Sequence, residues 1–313
     1  MKICAVVVTF NRKKLLLECI NALRSQTRPL EAIYIIDNSS SDGTPELLQK
    51  EGYSPSPDGG TLTIENLYNE EEIRITHLRL SRNIGGAGGF YEGVKMAYED
   101  GYDWVWLMDD DVEPLPNTLE NLIKVGNSIE KKSALVPVRF FNGSLFNLET
   151  KEFNFKNPLR NFTYGIISED DLINEYFEVS AISFEGPLIS ADAIAEIGFP
   201  DKDLFIIADD TDYAIRLKKY APIYMVSEAK MIKKVVADPE FNWKTHYLIR
   251  NIVYLDRKYG ENLSTKYLRP IRTLLQYIII YASKNPKNIK KILRAFREGY
   301  TLKKGITVAP GEF

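Results

Sequence analysis

The sequence predicts an α/β fold: an open, mostly parallel sheet flanked by helices, with a helical C-terminal extension. Three observations carry this expectation. Short Val/Ile-rich runs bounded by polar turns recur at Ile3–Thr9, Ala32–Asp37, 75–80 and 104–108. Helical apolar periodicity separates several of them. Each run ends in polar or acidic residues, the arrangement of open α/β sheets that bind ligands beyond the carboxyl ends of their strands.

Ile3–Thr9 is continuously apolar up to its closing Thr, which fits a central strand buried on both faces. Leu16, Ile20 and Leu23 lie at i, i+4 and i+7, so a helix follows, and Thr27, Arg28 and Pro29 stop it before the second strand. That is a βαβ unit. Residues 38–44 form a polar turn and 45–51 a second helix, while 52–72, rich in Pro, Gly, Asn and Glu, is expected as a surface excursion. A third strand spans 75–80. Gly85, Gly86, Ala87, Gly88 and Gly89 open a helix running through Tyr98, and the strand at 104–108 ends in Asp109, Asp110 and Asp111. Residues 140–178 read as irregular. Helices return at 191–197 and 210–220 and a strand at 223–226; from about Met231 the chain is expected to be helical and basic. The expected organisation is an α/β region over 1–230 and a helical region over 231–313.

The chain has 313 residues, 44% hydrophobic and 27% charged, which is ordinary globular usage and excludes a disordered, collagenous or disulfide-scaffold protein. Its two cysteines, Cys4 and Cys19, both lie in apolar-periodic segments and read as reduced core residues, so a cytoplasmic setting is expected. The net charge of -3 hides a split: residues 1–229 hold 22 Lys+Arg against 37 Asp+Glu, and 230–313 hold 18 against 6. An acidic body suits a cation or phosphate site and a basic tail suits an anionic surface, with no nucleic-acid partner expected. The N-terminal stretch lacks the pattern of a signal peptide, and the longest apolar run, 274–282, is far short of the roughly 20 residues of a spanning helix.

Three carboxylates delivered together by a hydrophobic strand repel one another unless a cation neutralises them, and a hard divalent ion is the ordinary solution. In extended geometry Asp109 and Asp111 point the same way and form the chelating pair, with Asp110 facing elsewhere. The competing reading is an acidic turn before a helix near Leu115. The run 37–44, from Asp37 and Asn38 to Gly43 and Thr44, offers hydrogen-bonding groups for a base or ribose, although such residues also make turns and caps. The glycine run is not the dinucleotide fingerprint, but with Arg82 and Asn83 before it and a helix after it, it suits an anion; a tight turn is the plain alternative. Asp209, Asp210 and Asp212 open a helix in which Arg216 lies one turn after Asp212. Adjacent carboxylates in a closed site raise one another's pKa, which prepares a general base; an acidic helix N-terminus is the plain alternative.

In this order, these pieces resemble an inverting family 2 glycosyltransferase of the GT-A fold. The matching segments are Val6 to Asn11, Asp37 to Thr44, Asp109 to Asp111 and Asp209 to Asp212; Arg82 to Phe90, Leu107 to Val112 and Phe205 to Arg216 resemble the galactofuranosyltransferase branch. The resemblance implies that Asp37 and Asn38 bind base and ribose, with Thr9, Arg82, Asn83, Gly85 and Asp110 also on the donor side. It implies that Asp109 and Asp111 hold Mn²⁺ or Mg²⁺ on the donor diphosphate and that Asp210 is the base. It places Phe184, Glu185, Gly186 and Asp209 on the acceptor side. The expected donor is a UDP-sugar and the expected acceptor a glycan or polyprenyl-linked glycan. One departure stands out. The branch carries a metal-ligand histidine shortly after the strand at 223–226, and here the sequence reads Met231, Ile232, Lys233, Lys234. Either the metal keeps water there, or Lys233 neutralises diphosphate charge, or His246 reaches in; His77 reads as structural.

In the C-terminal region Ile289, Ile292, Leu293, Phe296 and Tyr300 share a helix face beside Lys290, Lys291, Arg294 and Arg297. That basic amphipathic pattern fits peripheral contact with the inner face of an anionic membrane, or else packing on the body or in a homo-oligomer. The alternatives in function are a dTDP-deoxysugar transferase, a nucleotidyltransferase, which would want a Gly-rich loop after the first strand, and a non-catalytic glycan-binding module.

Overall fold

The computed structural model describes residues 1–146, 149–236, 240–283 and 285–312. Its centre is four parallel strands in the order β5 (Trp104–Asp109), β1 (Ile3–Thr9), β2 (Ala32–Asp37) and β4 (Glu72–Arg79). Every residue of β1 and β2 is buried, as their unbroken apolar composition requires. Antiparallel β12 (Leu188–Ser190) joins β5 to a second parallel pair, β7 (Ala134–Phe141) with β13 (Ile223–Lys233), and β11 (Tyr176–Val179) closes that side. Two core clusters, one on each face of the sheet, hold it between helices.

Register positions the functional rim. Thr9 lies opposite Asp37 and Val8 opposite Asp109, so the carboxyl ends of three neighbouring strands meet at one edge. Helices α1 (Lys13–Arg24), α2 (Thr44–Lys50), α3 (Gly85–Glu99) and α4 (Thr118–Ser128) follow the strand ends. The glycines of α3 have a packing reason: a Cβ on Gly93 would lie 2.3 Å from Val6 Cγ1 and one on Gly89 2.6 Å from Val8 Cγ1, so the helix backbone lies directly on β1. Both cysteines are free and buried.

Several segments depart from expectation. The excursion at 52–72 contains β3 (Gly59–Glu65), an antiparallel edge strand on β4 whose Leu62 and Ile64 alternate with exposed threonines. Its polar alternation reads as loop because only one side of an edge strand needs to be apolar. Buried β7 was also not expected; Pro137 inside it argues against a strand, yet it runs between β12 and β13. The irregular stretch 140–178 holds β8 (Ser144–Leu145) and the small hairpin-like pair β9 (Thr150–Phe153) and β10 (Thr163–Ile166). The strand expected at 223–226 continues as β13 through residue 230 to Lys233, where it pairs with β6 (Val112–Pro114), so the chain is not helical from Met231. The helices α5 (Ala191–Ile197) and α6 (Asp209–Tyr220) fall where expected.

The C-terminal helices are α7 (Trp243–Tyr259), α8 (Arg269–Tyr277) between two π-helical turns, and α9 (Asn288–Tyr300). Helix α9 buries Ile292 and Ala295 against Ile249 of α7, while Ile289 and Leu293 remain exposed. Around α8, Leu268, Ile271, Leu275 and Ile279 are exposed. Lys284, ahead of the basic amphipathic stretch, lies outside the described residues. Among the described residues no helix is long and apolar enough to cross a membrane.

Candidate active site

The strand end of β5 gathers an acidic cluster. Asp109, Asp111 and Glu185 each bring a carboxylate oxygen to within 4.8 Å of the others. Asp110 is not one of the three, and accepts hydrogen bonds from Thr9 Oγ1 at 2.7 Å and Arg12 Nη1 at 3.2 Å. Arg12 Nη1 also donates to Asp111 Oδ2 at 3.0 Å. Lys233 Nζ donates to Glu185 Oε1 at 2.8 Å and stands 3.7 Å from Asp111 Oδ2, while buried Arg139 pairs with Glu185 and Glu149. Burial, then the neighbouring Glu185, Asp111 and Asp110 charges, push the Asp109 carboxyl well above its ordinary range. Burial pushes Asp110 to about 6 against the pull of Arg12 and Thr9. Burial also acts on Glu185, but Arg139 and Lys233 outweigh it and hold that carboxyl below its usual value.

This cluster fits a hard divalent cation. Three carboxylates converge, and Asp111 Oδ1 is buried without a hydrogen-bond partner, a costly arrangement that a cation would relieve. Lys233 occupies the edge where a histidine was expected, and His246 is bonded instead to Glu298 at 2.9 Å and Thr307 at 3.1 Å.

A second acidic pair faces the same space. Asp209 and Asp210 begin α6 directly after Phe205, Ile207 and Ala208, whose φ angles of 68°, 64° and 64° are left-handed. For bulky and β-branched residues such backbone is a genuine outlier. Burial, and then Asp210, raise Asp209 to about 8; burial raises Asp210 to about 6 despite its bonds from Thr211 N and Oγ1. Arg216 holds Asp212 at 3.1 Å, joined there by Lys258 and Tyr259.

Members of both acidic groups line one cleft of about 700 Å³ at the carboxyl ends of the strands. Of the residues singled out from sequence, it brings together Thr9, Asn38, Asn83, Gly85, Asp109, Asp110, Phe184, Glu185, Asp209 and Asp210. Asp37, Asp111, Arg82 and Gly186 are not among its lining. Asp37 is fully buried, accepting from Ser40 N at 2.8 Å, with His77 Nε2 3.9 Å from its other oxygen. Asn38 fastens the glycine turn, accepting from Ile84 N at 2.8 Å and donating to the Gly85 carbonyl at 2.9 Å. Arg82 is exposed, and the Gly186 carbonyl accepts from Trp106 Nε1 at 2.7 Å beneath the cluster. Glu185, expected on the acceptor side, has its carboxylate beside Asp109 and Asp111.

Sequence reasoning did not single out Arg12, Arg139, Trp243 or Lys244. Arg12 follows β1 immediately, so its place on the rim was available to see. Arg139 sits on the unexpected strand β7, and Trp243 and Lys244 reach the cleft from α7, remote in sequence. Burial lowers the Lys244 pKa.

Asp209, Asp210 and Asp110 have folded-state values above those of an unfolded carboxylate, near 4. Through these three groups the native state binds more protons than the unfolded chain between about pH 4 and pH 8, so their contribution to stability is lost as pH rises through that window, outweighing His246, whose lowered pKa acts singly in the opposite sense. In chelator, the melting temperature should be lower at pH 8 than at pH 5, and a rise across that range contradicts this reading of the cluster.

Residues 4–185, more than half the chain, match the model of the family described as glycosyl transferase family 2. The chain belongs to that family. Among its curated family 2 relatives, the galactofuranosyltransferase GlfT1 of Mycolicibacterium smegmatis is 30% identical over 229 residues, covering 69% of this chain and 65% of the relative. GlfT1 of Mycobacterium tuberculosis is 29% identical over 214 residues, covering 68% of this chain and 63% of that one. The chain thus spans a little under two thirds of the length of these relatives. Among solved structures, S. aureus TarS 1-349 in complex with UDP-GlcNAc has a TM-score of 0.57 at 14% identity, covering 97% of this chain and 84% of TarS. GalNAc-T7 with UDP, GalNAc and Mn²⁺ has a TM-score of 0.61 at 13% identity, covering 97% of this chain and 55% of that one. At such identities the likeness is one of fold, and it is the GT-A fold expected from the sequence.

Proposed function

We propose that the chain is an inverting, metal-assisted glycosyltransferase that moves a sugar, galactofuranose first among candidates, from a UDP donor to a glycan or polyprenyl-linked acceptor in surface polysaccharide synthesis. The observation that carries this reading is that Asp109 and Glu185 of a cation-ready carboxylate cluster line the same cleft as buried Asp209 and half-buried Asp210. The names of the GlfT1 relatives and the UDP-GlcNAc in TarS support the choice of donor.

Asp109, Asp111 and Glu185 would hold Mn²⁺ or Mg²⁺, which when bound neutralises charge developing on the departing diphosphate. Thr9, Asn83, Gly85 and Asp110 line the donor half of the cleft, and exposed Arg82 directly precedes Asn83. Asp37 and Asn38 frame the base and ribose by fixing the Ser40 turn and the Ile84–Gly85 turn. Asp210, raised to about 6, is ionised near neutral pH and close enough to its pKa to accept a proton. It takes that proton from the acceptor hydroxyl as the oxygen attacks the anomeric carbon from the face opposite the leaving diphosphate. Asp209, protonated beside it, can donate to an acceptor oxygen, with Phe184 shaping that side and Gly186 supporting it from beneath the cluster.

Residues 1–230 form the donor-binding and catalytic region, and 231–313 complete the cleft through Trp243 and Lys244. The excess of 18 Lys+Arg over 6 Asp+Glu in 230–313, with exposed Leu268, Ile271, Leu275, Ile289 and Leu293, favours contact with an anionic bilayer over packing in a homo-oligomer.

A thermal-shift panel tests the reading, since a ligand bound to the native state raises its melting temperature. UDP-galactofuranose with Mn²⁺ should give the largest shift among UDP-sugars and dTDP-rhamnose. A larger shift with dTDP-rhamnose transfers the proposal to a deoxysugar donor; no shift with any nucleotide sugar contradicts it.

A further inference from the structure

We infer that Asn251 and Arg250 of α7 are positioning residues for the base, clamping the left-handed bend before Asp209 and Asp210. Asn251 is fully buried. Its Nδ2 donates toward the carbonyls of Leu204, Ile206 and Ile207, at 3.1, 3.0 and 2.6 Å. Arg250, also fully buried, orients that amide by donating from Nε to Asn251 Oδ1 at 2.7 Å, which leaves the amide hydrogens for the bend. Its Nη2 donates to the Leu204 carbonyl at 2.7 Å, and its Nη1 to the Gly305 carbonyl at 2.6 Å.

The opposite side of the bend is held by α3. Ala87 N donates to the Phe205 carbonyl at 3.1 Å, and a Cβ on Gly85 would lie 2.0 Å from that same oxygen. The bend is thus over-determined by two elements distant in sequence, the condition under which rare backbone conformations persist. Its carbonyls point at α7 and its next two residues are Asp209 and Asp210. If the amide donors are lost, left-handed Phe205, Ile207 and Ala208 relax toward ordinary φ and the first turn of α6 rotates with them. A misplacement of about 1 Å costs a catalytic group roughly 10²-fold in rate. Neither residue is among the lining of the cleft, so neither contacts donor or acceptor there.

The inference rests on the assignment of Asp210 as base. Its test is steady-state kinetics and donor titration on the full chain. Asn251→Leu should lower kcat by about 10²-fold while donor KM and Kd stay within about twofold of wild type. Asn251→Gln, which keeps both amide donors, should restore at least about a tenth of wild-type kcat. If Asn251→Leu does not fold, Asn251→Ser, which keeps a single donor, carries the same test with a loss of about tenfold. Unchanged kcat in the folded variants, or donor affinity falling in parallel with kcat, overturns the clamp. An inactive Asp210→Asn beside a fully active Asn251→Leu overturns the clamp alone, whereas an active Asp210→Asn overturns the base assignment and the clamp's role with it.

Discussion

Asp210→Asn should abolish sugar transfer while leaving donor binding nearly intact. The amide preserves shape and most of the hydrogen bonding, including acceptance from Thr211 N and Oγ1 through its remaining oxygen, but it cannot take a proton. General-base catalysis contributes roughly 10²- to 10⁴-fold, which sets the smallest loss in kcat to expect. Calorimetric titration of the donor should give a Kd within about threefold of wild type, because Asp210 meets the acceptor oxygen rather than the diphosphate. Burial lifts Asp210 to about 6, so wild-type kcat should also fall with a one-proton slope below about pH 6 as the base protonates, with Glu185, Arg139 and Asp209 the charged groups that tune that value. The slope should be absent from any residual activity of Asp210→Asn. A variant turning over within about a factor of three of wild type would remove the role.

The second large effect concerns the cation. Asp111→Ala deletes the carboxylate whose Oδ1 is buried and unpartnered, and Asp109→Ala deletes the one whose pKa burial and the neighbouring carboxylates raise. Either variant leaves two of the three converging carboxylates, and Mn²⁺ then has too few protein oxygens to compete with water. Metal-dependent donor binding should be lost, a fall in affinity of about 10²-fold or more, while the chain remains folded because like-charge repulsion is relieved at the same stroke. The two variants should melt at or above the wild-type temperature in chelator. Unchanged UDP-sugar affinity in Mn²⁺ for both would exclude the cluster as the metal site and leave Arg12, Lys233 and Lys244 as cations for the diphosphate.

The parts of the fold that were legible in the sequence are those whose burial is two-sided or whose face is periodic. Unbroken apolar runs gave β1, β2 and β5, and the i, i+4, i+7 spacing of Leu16, Ile20 and Leu23 gave α1. The strand-borne aspartates were visible because three charges after Trp104–Met108 have no packing explanation. What stayed hidden depends on partners that only the folded chain supplies. β3 pairs along one edge and keeps threonines in water, and β7 tolerates Pro137 between β12 and β13. Glu185 joins Asp109 and Asp111 because the turn before β12 crosses the end of β5, where Gly186 N donates to the Leu107 carbonyl at 2.8 Å. Motif order placed Glu185 on the acceptor side, and no spacing rule places its carboxylate in the cation cluster. The reach of α7 into the cleft through Trp243 and Lys244, and under it through Asn251, is likewise a matter of tertiary packing. The amphipathic pattern of α9 was correct as periodicity but incomplete as a guide to exposure, since Ile292 and Ala295 of that helix face α7 while Ile289 and Leu293 face outward.

Stereochemistry offers the sharpest test of single displacement at Asp210. Proton NMR of the product formed from the nucleotide sugar that the thermal-shift panel selects reports the configuration at the transferred anomeric carbon. Inversion relative to the donor, with no signal from a covalent sugar–protein adduct, is the expected result. Retention of the donor's configuration would contradict single displacement from the face opposite the diphosphate, and the role of Asp210 in it.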